Sequence, residues 1–182
     1  MALFGGFGHK GPYRKGEIKI KYTKFLIALE IIGIALLAAL LVYTAFRYTM
    51  LPAEIPKHYN GLGEVDAWGP KSSVWIIPVA AILIYALVTV AGFFPNAWNY
   101  PAKIELENLP KAEDKVRQML AFMKLLITGL FMYLQFETLR LSENISMGVT
   151  FGFMLLMFAI MIYYMAALRR LSSERVGLLK KW

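Results

Sequence analysis

Four long apolar stretches constrain this chain more than any other feature. They cover residues 25–46, 74–94, 120–139 and 145–168. Each is close to the roughly 20 helical residues needed to cross the hydrocarbon core of a bilayer. Pro78 is the one proline inside them, and it falls in the first turn of its helix, where a missing N–H costs least. The sequence therefore predicts an all-α membrane protein with four transmembrane helices.

The composition agrees with a membrane protein and argues against a nucleic-acid-binding protein. Hydrophobic residues make up 58% of the 182 residues and charged residues only 18%, whereas soluble domains are about one quarter charged. The formal charge of +8 is concentrated at the ends, with six basic residues before the first apolar stretch and five after the last. Because no groove-reading motif accompanies these charges, we expect the lipid bilayer as a partner and no nucleic acid.

The positions of Lys and Arg also predict an orientation. Residues 95–119 hold four basic residues, residues 47–73 hold three and residues 140–146 hold one. Since cytoplasmic flanks carry the excess of Lys and Arg, we expect both termini and the 95–119 connection in the cytoplasm, with residues 47–73 outside. The first apolar stretch is too long for a signal-peptide core of about 7–15 residues. We therefore expect it to remain as the first span of a multi-pass cell-membrane protein.

These features divide the chain into segments. They are a basic cytoplasmic tail (1–24), a first transmembrane hairpin (25–94) with an outer loop at 51–73, a cytoplasmic connection (95–119), a second transmembrane hairpin (120–168) and a basic tail (169–182). Asn108-Leu109-Pro110 is a helix start signal, so the third helix should begin before its apolar part and have about 30 residues. Residues 168–182 could lie along the inner membrane surface.

The outer loop contains the main candidate site. Its candidate residues are Glu54, His58, Asn60, Asp66 and Trp68. The loop is rich in Pro and Gly but also holds aromatic residues, which predicts a folded extracytoplasmic loop, and Asn60-Gly61 is a strong turn signal. We expect His58, Asn60 and Asp66 to form one cluster built on this turn.

The purpose of this cluster is open at this stage. The side chains could hydrogen-bond the backbone of the loop itself, or they could bind a ligand. A third interpretation joins His58, Glu54, Glu64 and Asp66 as metal ligands. One histidine supports a metal site weakly, so we expect neither a metal nor a cofactor.

Two charged residues lie inside the apolar stretches. Glu30 and Lys124 each fall about 8 Å along their helices from the inner ends, at 1.5 Å per residue. Buried charges in membranes are costly and are usually paired. We expect an intramembrane ion pair. The alternatives are a Lys124 that reaches the membrane surface separately and a relay for protons or ions.

The fourth helix carries two patterns that could serve packing. Gly148 and Gly152, four residues apart, permit close approach of another backbone, which we expect to be the third helix; self-association is the alternative. Methionines recur along one face at positions Met154, Met157, Met161 and Met165. Methionine commonly fills gaps between packed helices. Thioethers also bind Cu(I), but the chain has no cysteine to hand over such an ion.

The outer loop also carries a family resemblance. The residues that carry it are Leu51-Pro52, Ile55-Pro56, His58, Asn60, Gly63, Asp66, Trp68 and Lys71, with weaker matches at Asn99-Tyr100-Pro101 and Gln135-Phe136-Glu137-Thr138. With the flanking helices, these positions resemble the bacterial and archaeal membrane domain known as domain of unknown function sixteen forty-eight. That domain also opens the Sdp immunity protein SdpI, which protects its producer from a secreted peptide toxin and takes part in signalling its presence.

Together these observations lead to two expectations about function. The first is a non-enzymatic sensor or immunity-like binding protein, whose outer loop receives a peptide or cell-envelope ligand. A homo-oligomer would agree with this first expectation. The second is a small accessory subunit of a larger membrane complex, docked against a foreign membrane subunit through Gly148 and Gly152 or through the methionine face. Transport is a third alternative. Because no arrangement of nucleophile, base and orienting group is present, we do not expect an enzyme.

Overall fold

The computed structural model describes residues 22–179, so the basic tails at 1–21 and 180–182 lie outside the described part. This described part is mostly helical and contains one small two-stranded sheet. In chain order the elements are α1 (Lys24–Tyr48), β1 (Glu54–Tyr59), β2 (Val65–Pro70), α2 (Ile76–Gly92), α3 (Leu109–Leu139) and α4 (Met147–Leu179). Short 3-10 turns lie at Lys71–Trp75, Pro95–Ala97 and Leu106–Asn108.

Within residues 22–179, four helical segments are long and apolar enough to cross a membrane. They are Lys24–Tyr48, Lys71–Gly92, Leu109–Leu139 and Met147–Leu171, where the 3-10 turn before α2 continues into that helix. The bundle exposes many large apolar side chains on its outside, such as Ile31 at 62% and Leu155 at 70% exposure. Contiguous apolar surface of this kind is rare in soluble monomers and suits lipid contact. The predicted four-span architecture is confirmed, and the chain is a multi-pass membrane protein.

Local sequence explains where two of the helices begin. Thr23 caps α1, because its Oγ1 accepts a hydrogen bond from the backbone N–H of Leu26 at 3.1 Å. α3 starts at Leu109 with Pro110 in its first turn and has 31 residues, which agrees with the length predicted from the sequence. Asn108 does not cap this helix; its amide donates to the carbonyl oxygen of Leu171 in α4 at 3.0 Å.

α3 lies at the centre of the bundle, with α1, α2 and α4 packed around it. The helices alternate in direction. One end of the bundle, here called the hairpin end, contains β1, β2 and the linker 140–146 between α3 and α4. Its core is formed by Leu51, Ile55, Val74 and Leu139. The opposite end contains the start of α1 and α3, with a core of Ile104, Leu109, Ala112, Val116 and Leu168.

The structure corrects the prediction for Gly148 and Gly152. A Cβ at Gly152 would meet nothing within 4 Å, and one at Gly148 would meet only the Ser146 side chain at 3.6 Å. The close contact between α3 and α4 is instead made at Gly129 of α3, where a Cβ would lie 3.1 Å from the ring of Phe153. The prediction that Gly148 and Gly152 pack α4 against α3 is wrong, because the α4 face toward α3 is the one that carries Phe153.

The C-terminal segment belongs to the fourth helix as far as it is described. α4 continues as one helix to Leu179, so residues 168–179 extend the fourth helix, while residues 180–182 of the segment that could lie along the inner membrane surface are outside the described part. Asn108 and the core around Leu168 hold this part of α4 against the start of α3. These contacts connect the C-terminal part of α4 to the start of α3.

Candidate functional site

The outer loop forms a β-hairpin whose inner side is fixed to the bundle. β1 and β2 pair antiparallel, with Ile55 opposite Gly69 and Pro56 opposite Trp68. Ile55 is fully buried in the core at the hairpin end. After Pro56 the register shifts, so that His58 lies opposite Ala67. Such an irregularity re-aims the side chains next to it.

The turn of this hairpin is built on Asn60. The Asn60 Oδ1 accepts hydrogen bonds from the backbone N–H groups of Leu62 at 2.8 Å and Glu64 at 3.1 Å. The backbone N–H of Asn60 donates to the carbonyl of Glu64 at 2.8 Å. The positive φ of the turn, 88°, occurs at Gly63. The Asn60-Gly61 signal thus located the turn, but Gly63 is the glycine that the backbone conformation requires.

The linker between α3 and α4 holds this turn through hydrogen bonds, which are here called the clamp. The Ile145 N–H donates to the carbonyl of Gly63 at 2.8 Å, and the Val65 N–H donates to the carbonyl of Glu143 at 3.0 Å. A Cβ at Gly63 would collide with the carbonyl oxygen of Ile145. The Tyr59 hydroxyl donates to the Ser142 carbonyl at 3.1 Å. The hairpin is therefore joined to both helical hairpins of the protein.

Tyr59 is the titratable group of this clamp. Its phenol has a pKa raised above the usual value of 10.0, chiefly because burial disfavours the phenolate. The negative charge of Glu137 acts in the same direction, while a hydrogen bond with Thr138 acts against it. The neutral phenol is therefore the form that the folded clamp favours.

The structure brings His58 and Asp66 together on the exposed face of the hairpin. His58 Nδ1 lies 2.6 Å from Asp66 Oδ1, and the two side chains are 67% and 43% exposed. Trp68 follows Asp66 by two residues on β2, beyond the register irregularity at Asp66, and it is 52% exposed. Asn60 serves the turn and also donates to Glu64 Oε2 at 3.2 Å. Glu54 begins β1 opposite Pro70, at the far end of the sheet from this turn.

The metal interpretation of the loop lacks a geometric basis. In the part of the chain that the structure describes, no group of three or more His, Asp or Glu side chains could hold a metal ion. Glu54 and the His58–Asp66 pair lie at different ends of the sheet. The exposed side chains of the hairpin are thus arranged for hydrogen bonding and aromatic contact.

The second candidate site is an ion pair inside the bundle. Lys124 of α3 donates to both carboxylate oxygens of Glu30 in α1, at 2.6 and 2.8 Å, and to Thr89 Oγ1 in α2 at 3.1 Å. The Tyr85 hydroxyl donates to Glu30 at 3.2 Å, and the Lys124 Nζ lies 4.6 Å from the centroid of the Tyr85 ring. The Lys124 side chain is 4% exposed and that of Glu30 is 29% exposed. Three helices therefore share one polar cluster.

Sequence reasoning missed Tyr85 and Thr89 as partners of this pair. The available signal was their spacing of four residues within an otherwise apolar helix, which places both on one face. Gly33 of α1 makes the contact possible, since a Cβ there would lie 2.8 Å from the Tyr85 hydroxyl oxygen. A close approach of α1 and α2 thus brings Tyr85 to Glu30.

Gln135 forms another buried polar link nearer the hairpin end. It is fully buried, and its amide nitrogen donates to Thr44 Oγ1 at 3.0 Å and to the carbonyl of Val74 at 3.1 Å. The Thr44 hydroxyl in turn donates to the carbonyl of Leu40 at 2.7 Å. These bonds connect α3 to α1 and to the turn that precedes α2. Sequence reasoning placed Gln135 only within a weak family match and gave it no role.

Comparisons with known proteins match the part of the chain that builds the hairpin. Residues 35–82 match the family model of a domain of unknown function (DUF1648). An uncharacterized protein from Archaeoglobus fulgidus is 30% identical over 87 residues, which cover 43% of this chain and 46% of that relative. The match thus spans about half the length of the curated relative. No solved structure matches. The segment from the middle of α1 through β1 and β2 into α2 is therefore similar to the DUF1648 domain.

Proposed function

We propose that this protein is a non-enzymatic binding protein, of a sensor or immunity-like kind, whose hairpin receives a peptide or cell-envelope ligand. One observation carries the proposal. Hydrogen bonds hold the hairpin against the linker between α3 and α4, yet the side chains of His58, Asp66 and Trp68 stay exposed. The structural contacts of the loop use other groups, chiefly Ile55, the turn of Asn60 and Gly63, and the backbone of the linker.

The chemistry around Trp68 favours a ligand with positive charge. A shallow recess of about 350 Å³ is lined by Glu64, Val65, Trp68, Glu143 and Asn144. Two carboxylates beside an accessible indole ring suit an amino or guanidinium group, which a ring face attracts and a carboxylate binds. Tryptophan is also enriched at the centres of binding interfaces. A basic peptide is the ligand that combines these features.

The proposed location follows from the bundle geometry and the basic flanks. The hairpin and the linker 140–146 lie at one end of the bundle, and the starts of α1 and α3 lie at the other. The clusters of Lys and Arg flank that other end, which by the positive-inside rule is cytoplasmic. The receiver hairpin is then outside the cell membrane and both termini are inside. Resemblance to the domain that opens SdpI supports a role in sensing or resisting an external peptide.

A photocrosslinking experiment tests the proposal in the host membrane. A photoreactive phenylalanine derivative, which keeps an aromatic ring at the position, replaces Trp68. The control is Lys57, whose side chain lies over Gly69, the residue after Trp68 and therefore on the other face of the sheet. We expect a covalent adduct of a peptide or envelope component at position 68 that is absent at position 57. Equal labelling at both positions, or labelling by lipid alone, would contradict a receiver role for this face.

The accessory-subunit hypothesis predicts a different outcome of the photocrosslinking experiment. After gentle solubilisation, stable foreign membrane subunits should migrate with the protein, and crosslinks from position 68 should fall on them. The specific observation that favours this alternative is the exposed face of α4 at Gly148 and Gly152, where a neighbouring helix could approach closely. A monomer or symmetric oligomer without foreign subunits favours the binding protein.

A further inference from the structure

A crevice opens between α1, α2 and α3 at the end of the bundle opposite the hairpin. Its volume is about 200 Å³. Leu26, Val88 and Leu120 provide apolar walls, and the Glu30–Lys124 pair lies along it. Arg117 also lines the crevice, seven residues before Lys124 on α3. Seven helical residues correspond to about 10 Å along the axis, so Arg117 lies that much nearer the end of the bundle.

The charges of the crevice are not equally available to a ligand. The ammonium of Lys124 has three N–H groups, and its neighbours are the two oxygens of Glu30 and the hydroxyl of Thr89. Lys124 and Glu30 therefore neutralise each other. The other cation that lines the crevice is Arg117, which has the Glu113 carboxylate 4.0 Å from its Nη2 but keeps a buried Nε donor without a partner among the described residues.

Arg117 has a donor without an acceptor among the described residues. Its Nε is buried and makes no hydrogen bond there. The fully buried Glu113 carboxylate lies close by, with its Oε2 4.0 Å from Nη2, which is too far for a hydrogen bond. The guanidinium also lies 5.4 Å from the Trp98 ring centroid. Leaving a buried donor unsatisfied costs about 1–3 kcal/mol, so an acceptor at this position would stabilise the bundle.

The surroundings of Arg117 match the boundary between lipid headgroups and hydrocarbon. Before Arg117, α3 is polar and follows the 95–108 connection; after Met119 it enters its apolar part. A molecule bound here would have its polar group at Arg117 and its apolar part between the walls at Leu26, Val88 and Leu120. Basic pockets between transmembrane helices at this level bind anionic lipid headgroups.

We infer that this crevice is a binding site for an anionic phospholipid, with the headgroup phosphate accepting hydrogen bonds from Arg117 and an acyl chain along the apolar walls. The site is separate from the ligand face of the hairpin. The planar guanidinium is suited to phosphate oxygens, which it can bind through two N–H groups. Glu30 does not repel the phosphate strongly, because Lys124 neutralises the Glu30 carboxylate. The Glu30 carboxylate also lies deeper in the crevice than Arg117 does.

The experiment compares the thermal midpoint of the full chain in nanodiscs of phosphatidylcholine alone and of phosphatidylcholine with phosphatidylglycerol. We expect phosphatidylglycerol to raise Tm by several degrees in the wild type and native mass spectrometry to detect retained phosphatidylglycerol. Arg117→Gln should lose both effects. Arg140→Gln removes the same charge from the other end of α3, beside the Phe136 ring, and should keep both.

A second variant blocks the crevice without changing its charge. A Cβ at Gly92 would meet only Leu120 at an ordinary 3.9 Å, so Gly92→Leu should fold and fill the space. It should keep its Tm in phosphatidylcholine and lose the response to phosphatidylglycerol. An unchanged response in this variant, or in Arg117→Gln, would overturn the site. A rise in Tm on adding inorganic phosphate to phosphatidylcholine nanodiscs would overturn the lipid assignment in favour of a soluble anion.

Discussion

Lys124 contacts Glu30 across 94 residues of sequence, with its Nζ 2.6 and 2.8 Å from the two carboxylate oxygens. This pair joins α3 to α1, and Thr89 and Tyr85 add α2 to the same cluster. Because a membrane interior offers few other partners for a charge, the pair specifies how these three helices face one another. The same pair lines the crevice between these helices.

A double-mutant cycle should show that Glu30 and Lys124 are coupled. Removing one partner of a fully buried pair costs about 3–5 kcal/mol, and less is expected here because Glu30 is 29% exposed. Glu30→Gln should destabilise more than Lys124→Met, because it leaves an ammonium at 4% exposure without its counter-ion. The loss of stability in the double variant should be smaller than the sum of the losses in the two single variants. Thermal unfolding in detergent measures all three, and strict additivity would contradict the coupling.

The His58–Asp66 pair should contribute little to stability. Both side chains are more than one third exposed, and surface pairs typically contribute about 0–1 kcal/mol. Asp66→Asn should therefore leave the unfolding midpoint nearly unchanged. If the proposed receiver role is right, the same change should abolish the crosslinked adduct at position 68. A stable variant that retains the full adduct would show that the carboxylate does not bind the ligand.

Gly63 and Gly61 should respond differently to alanine although they are two residues apart. Gly63→Ala combines a positive φ with a collision at the Ile145 carbonyl, so we expect a loss of about 2 kcal/mol or more, since the left-handed conformation alone costs roughly 1–2 kcal/mol. Gly61→Ala meets nothing within 4 Å and should be nearly neutral. Hydrogen exchange at the Val65 and Ile145 amides reports the clamp directly. Equal hydrogen-exchange rates at these two amides in both variants would argue against the clamp.

The Tyr59 clamp should weaken at high pH. Burial raises the pKa of Tyr59 above 10.0 in the folded state, so its contribution to stability is fully present below the unfolded pKa and is lost as pH rises through the folded pKa. Tyr59→Phe should cost about 1 kcal/mol at neutral pH through the lost bond to Ser142. In the wild type, the Val65 amide should lose protection against hydrogen exchange as pH rises, and Tyr59→Phe should reduce that loss. Tyr43→Phe, whose ring stacks on Phe136, is the control and should retain that loss.

Labelling of introduced cysteines should establish the orientation. The chain contains no cysteine, so Ser72→Cys and Ser173→Cys each provide one thiol. The basic flanks predict that an impermeant thiol reagent added outside cells labels position 72 and spares position 173. Permeabilised cells provide the control in which both should react. Labelling of both from outside would refute the predicted topology.

The sequence by itself determined the number of spans and the start and length of α3. Apolar runs of this length must satisfy their backbone hydrogen bonds internally in lipid, which leaves the helix as the available structure. Local signals act within a few residues, so Pro110 and Thr23 mark helix starts wherever the helices later pack. The Asn60 turn was predictable for the same reason.

Only the tertiary structure decided which faces and loops meet. Tyr85 and Thr89 join the Glu30–Lys124 pair because Gly33 admits the Tyr85 ring. Gly63, and not Gly61, became the constrained glycine because the distant Ile145 carbonyl lies against it. These contacts depend on the relative rotation and spacing of whole helices. Such quantities result from packing between segments far apart in sequence, which local spacing does not specify.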